Sequence, residues 1–367
     1  IRKMIEQGYE AERSDPQRIA RAIELLATSV TGYELGVKRL KMSGEYAMPQ
    51  LIQKLRDSGS PELLKERIVT VLPQMGRDAV RPLAVALATD DAKLQEWLAV
   101  SLGQIGYPNC LPQLKELAER KGILPRTQKA AEAAIVACGG PEAMKKSAAE
   151  LYYDLAEKYY YQVDSVVPDA RYPSANVWYW KPDIGLSYTP VPREIFCDVY
   201  TMRYAAQALE QNPKFYPAVS LWLSASLKKE ADLPAGQEDP VAKGMPSAQF
   251  YALASPAKYL QHVLERALRD RNSAVAIGAI EALTQTAGAK SLIEPVTGGS
   301  QPLVQALTYP DSRVQFLAAW ALTNALPEKK IGPANEDTLV MSVLSKALRQ
   351  RGQKRVVLVA SEEKLNE

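Results

Sequence analysis

Three 16-residue windows of this chain superimpose without a gap: "LATDDAKLQEWLAVSL" (87–102), "LRDRNSAVAIGAIEAL" (268–283) and "LTYPDSRVQFLAAWAL" (307–322). Each opens on Leu, turns through polar residues at its fourth to sixth positions, and places Leu94, Val275 or Val314 at the eighth. An Ala follows at the twelfth or thirteenth position (Ala99, Ala279, Ala319), and each window closes on Leu. The last two windows start 39 residues apart. Self-similarity of this kind decides the fold first, because each copy is one unit that cannot bury its apolar face alone. The upstream halves match too. "RPLAVAL" (81–87) aligns with "QPLVQAL" (301–307), and Pro82 and Pro302 suit a first helical turn. "MPQLIQKL" (48–55) and "LPQLKEL" (111–117) read as further copies.

The polar turn has a physical task. Asp90, Asp91, Asp311 and Ser312 offer oxygens to the free amides that begin the next helix. Apolar residues recur at helical spacing on both sides of the turn, so each copy is two helices with faces to bury. Burial is therefore expected for Leu87, Leu94, Leu102, Leu268, Val275, Leu283, Leu307, Val314 and Leu322. This pattern resembles the HEAT repeat, a helical hairpin of about 40 residues that stacks into a solenoid. The resemblance covers roughly 45–142 and 255–326. It implies an all-α fold, an α-α superhelix, with circular dichroism dominated by helix.

Between the two blocks the pattern changes. "SAAELYYDLAEKYYYQ" (147–162) is an amphipathic helix with closely spaced tyrosines, and 193–230 reads as a helical hairpin broken at Asn212–Pro213. "ALEQNPKFYPAVSLWLSASL" within it resembles a tetratricopeptide hairpin. The stretch "NVWYWKPDIGLSYTPVPREIF" (176–196) sets Trp178, Tyr179 and Trp180 in a row, and ten aromatic side chains crowd into 151–188. In an extended segment Trp178 and Trp180 face one way and Tyr179 the other. A loop from about 163 to 192 is long for a compact domain, and such loops are strapped down by their own side chains or functional. The first reading is a hydrophobic strap on helices 147–161 and 194–210. The second is a ligand or partner surface made of Trp178, Tyr179, Trp180 and Tyr188.

The organisation that follows has capping helices over 1–44, where "DPQRIARAIELLATS" opens on Asp-Pro, and a first HEAT-like block over 45–142. Tetratricopeptide-like helices occupy 143–230, with the aromatic loop at 163–192, and a Pro/Gly-containing loop covers 231–254. A second HEAT-like block (255–330), a terminal helix (331–352) and a tail (353–367) complete it. In the tail, Val356 to Val359 form a β-branched run followed by Ser361, Glu362 and Glu363. It resembles the first strand of a receiver domain cut short, with Ser361 in place of one expected metal-binding acid. The alternative is a tail lying on the last repeat. The order as a whole resembles a group of large bacterial HEAT-repeat proteins.

No catalytic signature, cofactor motif or metal-ligand set emerges. One histidine, His262, sits within "YLQHVLERAL", which argues against histidine triads and multi-His metal sites. Cys110, Cys138 and Cys197 are too scattered for a disulfide framework and read as buried thiols. "GGS" (298–300) reads as a turn before a helix, and Tyr152 and Lys158 match no catalytic spacing. Lys plus Arg number 45 against 42 Asp plus Glu, without the concentrated basic footprint of a nucleic-acid binder. The densest basic run, "RQRGQKR" (349–355), reads as an exposed helix end, with a phosphate contact as the alternative. No apolar run approaches the ~18 residues of a membrane span. The chain starts at Ile1 without a Met, so an upstream signal peptide is one option, and the compartment is open between cytoplasm, the first choice, and export.

The leading expectation is a non-enzymatic scaffold whose helical-repeat surface takes a protein or peptide partner. Two rivals come from other classes. HEAT-like repeats also occur in bilin lyases, which would make the chain an enzyme or chromophore chaperone. HEAT-like proteins that bind damaged DNA use a basic concave face with Trp and Asp, whereas Trp97 and Trp320 fall on the apolar stripe here.

Overall fold

The fifth position of each repeat window starts a helix. The carboxylate of Asp91 accepts from the amides of Lys93 and Leu94 at 2.9 and 3.1 Å, Asn272 accepts from Val275 at 3.1 Å, and Asp311 accepts from Arg313 at 2.9 Å. Asp90 stands exposed one residue ahead of the cap, and Ser312 already lies inside its helix. A second device recurs at the ninth position. The Gln95 amide donates to the carbonyl of Thr89 at 2.5 Å, and Gln315 donates to that of Tyr309 at 2.6 Å. The turns before the helices that start at Ala92 and Ser312 are thus closed from both ends by side chains, and the turn at Asn272, where Ala276 takes the ninth position, by its cap alone; each satisfies backbone groups that the bend exposes.

A computed structural model describes residues 8, 11–293, 295–296, 298–323 and 336–350. The tail with Val356, Ser361, Glu362 and Glu363, and all but the start of the basic run 349–355, lie outside the described residues. Two compact units divide the chain, Ile1–Met245 and Pro246–Glu367. The first contains helices α1 (Pro16–Leu25), α2 (Val30–Ser43), α3 (Met48–Arg56), α4 (Glu62–Val71), α5 (Arg77–Ala86), α6 (Ala92–Ile105), α7 (Leu111–Glu119), α8 (Pro125–Lys145) and α9 (Ala148–Tyr160). Strands β1 (Ser174–Lys181) and β2 (Gly185–Pro192) follow, then α10 (Arg193–Gln211) and α11 (Pro217–Asp232). The second unit contains α12 (Ala248–Leu253), α13 (Ala257–Arg269), α14 (Ser273–Thr286), α15 (Ala289–Ile293), α16 (Pro302–Ala306), α17 (Ser312–Thr323) and α18 (Glu336–Gln350).

Among the described residues the fold is an α-solenoid with one two-stranded sheet. Of the nine residues expected in the core, all but Leu268 are buried. Leu268 is half-buried because Leu264 and Ala267, three apart, take the inward positions at the end of α13 and leave it a step round the helix. Pro302 opens α16 as expected, but Pro82 does not open a helix: α5 already starts at Arg77, after Gly76 with φ of +64°. Pro82 sits in its second turn, where its missing N–H forfeits one helical hydrogen bond. At the N-terminal end, Asp15 caps α1 through the amides of Gln17 and Arg18, with Pro16 at the first helical position. The tyrosine helix α9 begins in a reciprocal capping box between Ser147 and Glu150.

The segment read as an aromatic loop contains an antiparallel hairpin instead. Trp178 pairs with Tyr188 and Lys181 with Gly185, and Gly185 closes the three-residue turn at φ of +87°. Pro190 and Pro192 disguised β2 as loop. A two-stranded sheet has only edge strands, so a proline that lacks its donor is tolerated there.

Candidate functional site

Alternation along a strand sends successive side chains to opposite faces, and here both faces are packed. Trp178 and Leu186 join the core of helices α1–α8, the first repeat block, with Trp180 resting partly buried against it. Val177 and Val191 join the second core, built on the tyrosine helices α9 and α10, and Tyr179 rests against that one. The expected split between Trp178 and Trp180 on one side and Tyr179 on the other therefore holds. Their destination differs: the two tryptophans pack on the HEAT block, not on the tyrosine helices. The Arg56 guanidinium lies 5.0 Å from the Trp180 ring, and Tyr188 meets Tyr46 edge-on at 5.7 Å. On the opposite face, Arg203 stacks 4.3 Å from the Tyr179 ring.

Polar anchors hold the wedge in register. Glu45, in the short turn between α2 and α3, accepts from the Trp178 indole N–H at 3.0 Å and from the Asn176 amide at 2.8 Å. Burial raises the Glu45 pKa, opposed by Arg81 and by those two hydrogen bonds. Arg81 is itself tied down, donating to the Tyr159 hydroxyl at 3.1 Å and the Val166 carbonyl at 2.5 Å. The outward edge of β1 is capped by side chains of α10. Tyr200 accepts from the Trp178 N–H at 3.2 Å, and Arg203 donates to the Trp178 carbonyl at 2.6 Å. An edge covered in this way cannot recruit another strand. The pair α10–α11 has its own buried tie, Lys228 to Asp198 at 2.9 Å. Burial lifts the Asp198 pKa to about 6, against the pull of Lys228.

Two cavities flank the hairpin. One, of about 370 Å³, runs along β1 between α5 and α7 on one wall and α10 on the other. Tyr179, Trp180, Glu116 and Arg203 line it, and the side-chain carbonyls of Gln113 and Gln207 are buried there without a hydrogen-bond partner. The other, of about 670 Å³, lies beneath the segment 164–176. Three of the four residues expected as a ligand surface, Trp178, Tyr179 and Trp180, line the first cavity, and Tyr188 does not. Trp178 is fully buried and cannot be an exposed contact, Tyr179 and Trp180 border the cleft, and Tyr188 belongs to the HEAT-block face.

Glu45, Arg81 and Asn176 were not singled out by sequence. A signal existed for Arg81 alone: it stands where the sister copy "QPLVQAL" has Gln301, and a departure between aligned copies marks a position with a private task. Among the described residues no group of three or more His, Cys, Asp or Glu side chains is placed to hold a metal. His262 is a half-buried neighbour of Glu265 at 3.5 Å. All three cysteines are buried free thiols, and Cys110 and Cys138 touch at 3.8 Å. Trp97 is partly buried against the core, whereas Trp320, expected on the apolar stripe, is 56% exposed.

Stacked amphipathic hairpins, capped at one register and closed into an apolar interior, define an α-helical repeat protein. Comparison with family models names the kind. A model of HEAT repeats matches residues 48–135, and a model of the armadillo/beta-catenin-like repeat matches residues 296–326. The chain thus carries HEAT repeats over 48–135 and an armadillo-like repeat over 296–326. No curated protein matches it. Among the described residues no helix is long and apolar enough to cross a membrane.

Proposed function

We propose that this chain is a non-enzymatic interaction scaffold and that a partner polypeptide docks in the aromatic cleft beside β1. Helical-repeat domains commonly bind protein partners, which supports the class of function. The observation that supports the place is the pair of unpartnered Gln113 and Gln207 carbonyls inside a cleft bordered by Tyr179 and Trp180. Buried acceptors are nearly always met in native proteins. A peptide brings backbone N–H donors to them, and its apolar side chains lie on aromatic rings. Trp178 is in this reading a strap that holds the rim, and Tyr179 and Trp180 are the contacts.

A peptide-display library selected on the full chain, then re-measured on the Tyr179→Ala, Trp180→Ala double variant, tests this. Enriched peptides should lose about tenfold or more in affinity on the variant, a change of about 1.4 kcal/mol. If nothing is enriched, or the enriched peptides bind both proteins equally, the cleft is not the docking site.

A further inference from the structure

The larger cavity is built differently from the aromatic cleft. Its volume of about 670 Å³ lies within the range of about 300–1,000 Å³ common for ligand pockets. Residues between Arg13 and Asn109 form its floor and the segment 164–176 its roof. Donors from the floor hold the roof down: Arg77 to the Asp164 carbonyl at 2.6 Å, Asn109 to the Ser165 carbonyl at 2.8 Å, and Arg13 to the Tyr172 hydroxyl at 3.1 Å. Two of these ties hold the roof by its backbone carbonyls and the third by a side chain.

Two of the residues lining this space each carry a buried atom without a hydrogen-bond partner, and the two are of opposite polarity: Nε of Arg13 and Oδ1 of Asn109. The Asn109 amide is not free to exchange its ends, because its nitrogen donates to Ser165 and a flip would set oxygen against oxygen. A guanidinium only donates. A guest that brought one acceptor and one donor to the walls of the cavity would satisfy both.

Charge narrows the guest further. Arg13 lies 3.8 Å from Asp78, Arg171 is paired with Asp169 at 2.5 Å, and Arg81 neutralises the buried Glu45. Lys41 and Arg77 line the same cavity, and neither forms an ion pair among the described residues. Asp164 is the remaining acid, which leaves one cation in excess. Arg13 is further fixed between the rings of Tyr46 and Tyr172, 5.8 and 5.6 Å from its guanidinium. The Arg13–Asp78 pair leans on bare backbone: a Cβ at Gly44 would come within 2.8 Å of Arg13 and 2.7 Å of Asp78.

We propose that this cavity captures the free C-terminal carboxylate of a partner peptide. A chain terminus is a monoanion with its own amide N–H one atom from the same Cα. The carboxylate accepts from Arg13 Nε in the field of Lys41 and Arg77, and the N–H donates to Asn109 Oδ1. Capture of a terminal carboxylate is an established mode of peptide recognition. The choice of a peptide over a small acid rests on the scaffold reading.

The test uses the full chain and fluorescence polarisation with two pools of labelled, sequence-randomised pentapeptides, one ending in a free carboxylate and one amidated. The free-acid pool should bind, and amidation should weaken it by about tenfold or more. Arg13→Lys, which keeps the charge but loses Nε–H, and Asn109→Leu should each weaken the free-acid pool by a similar factor, with unchanged melting temperature showing that both fold. Gly44→Ala should weaken it as well by displacing the Arg13–Asp78 pair. Equal binding of acid and amide pools would overturn the terminus proposal while leaving the scaffold reading intact. Failure of both pools, when peptides selected on the aromatic cleft still bind, would overturn the cavity proposal alone. Competition by free lactate as effective as by the acid peptides would overturn the peptide assignment.

Discussion

Helix α6 of the HEAT block turns Leu94, Leu98 and Leu102 inward and leaves Lys93 and Val100 to solvent, whereas the hairpin has no outer face along most of β1. The difference lies in how many partners each residue must satisfy. A one-faced helix needs an apolar stripe and a capped end, and many sequences supply both. The hairpin must fit two cores at once. Its side chains alternate between the HEAT block and the tyrosine helices, and its polar atoms are met by single residues, Glu45 on one side and Tyr200 and Arg203 on the other. Degeneracy in the first region leaves a visible repeat, and specificity in the second leaves none.

The sharpest way to break this contrast is to cut the same core from each side. Trp178→Ala should cost about 3–5 kcal/mol and Leu94→Ala about 2–5 kcal/mol, both by chemical denaturation, since each empties a fully buried site. Trp178→Phe separates the two kinds of support. It keeps most of the apolar area but strips Glu45 of the indole N–H, and should still cost about 1–3 kcal/mol. A cost under about 0.5 kcal/mol would mean that the polar anchors do not matter and that the hairpin is held as the helices are.

Next in size is a pH effect from the helices that grip the hairpin. Burial lifts Asp198 from 3.8 to about 6. Between those values the folded protein holds a proton that the unfolded chain has released, so stability falls as pH rises through the window. The shift is roughly two units, or about 3 kcal/mol. The stability of the wild type relative to Asp198→Asn should thus drop by about that much from pH 4 to pH 7. A difference that stays flat across the range would place Asp198 in water, not between helices. Glu45, raised by burial too, contributes in the same direction.

The smallest effect belongs to the repeat turns. Asp91→Ala and Asp311→Ala should each cost about 1 kcal/mol, the usual value of an N-cap. Asp90→Ala, one residue away and exposed, should cost close to nothing in the same melting experiment. If Asp90 and Asp91 prove equal, the register of the repeat is off by one.

Sequence carried the repeat region well and the hairpin badly, for reasons that particular residues expose. Leu94, Val275 and Val314 could be placed because the eighth position recurs in three windows and each copy checks the others. Nothing checks Trp178. Its strand occurs once, Pro190 and Pro192 argue for loop, and the residue that orients it, Glu45, lies 133 positions away. Alternation did foretell that Tyr179 would oppose its neighbours, because that follows from strand geometry alone. Which core each face would meet depends on tertiary placement, and the orphaned side-chain carbonyls of Gln113, Gln207 and Asn109 leave no local trace at all.

The central claim is that the hairpin is a structural wedge, as firmly held as the repeats it touches, and not a mobile aromatic loop. Native-state hydrogen exchange, resolved by peptide mass, measures this directly because it reports the free energy of local opening. The account predicts that amides across 175–180 and 186–191 are protected as strongly as those of 94–102 in α6. Exchange of the hairpin amides at the rate of an open loop, with 94–102 still protected, would contradict it.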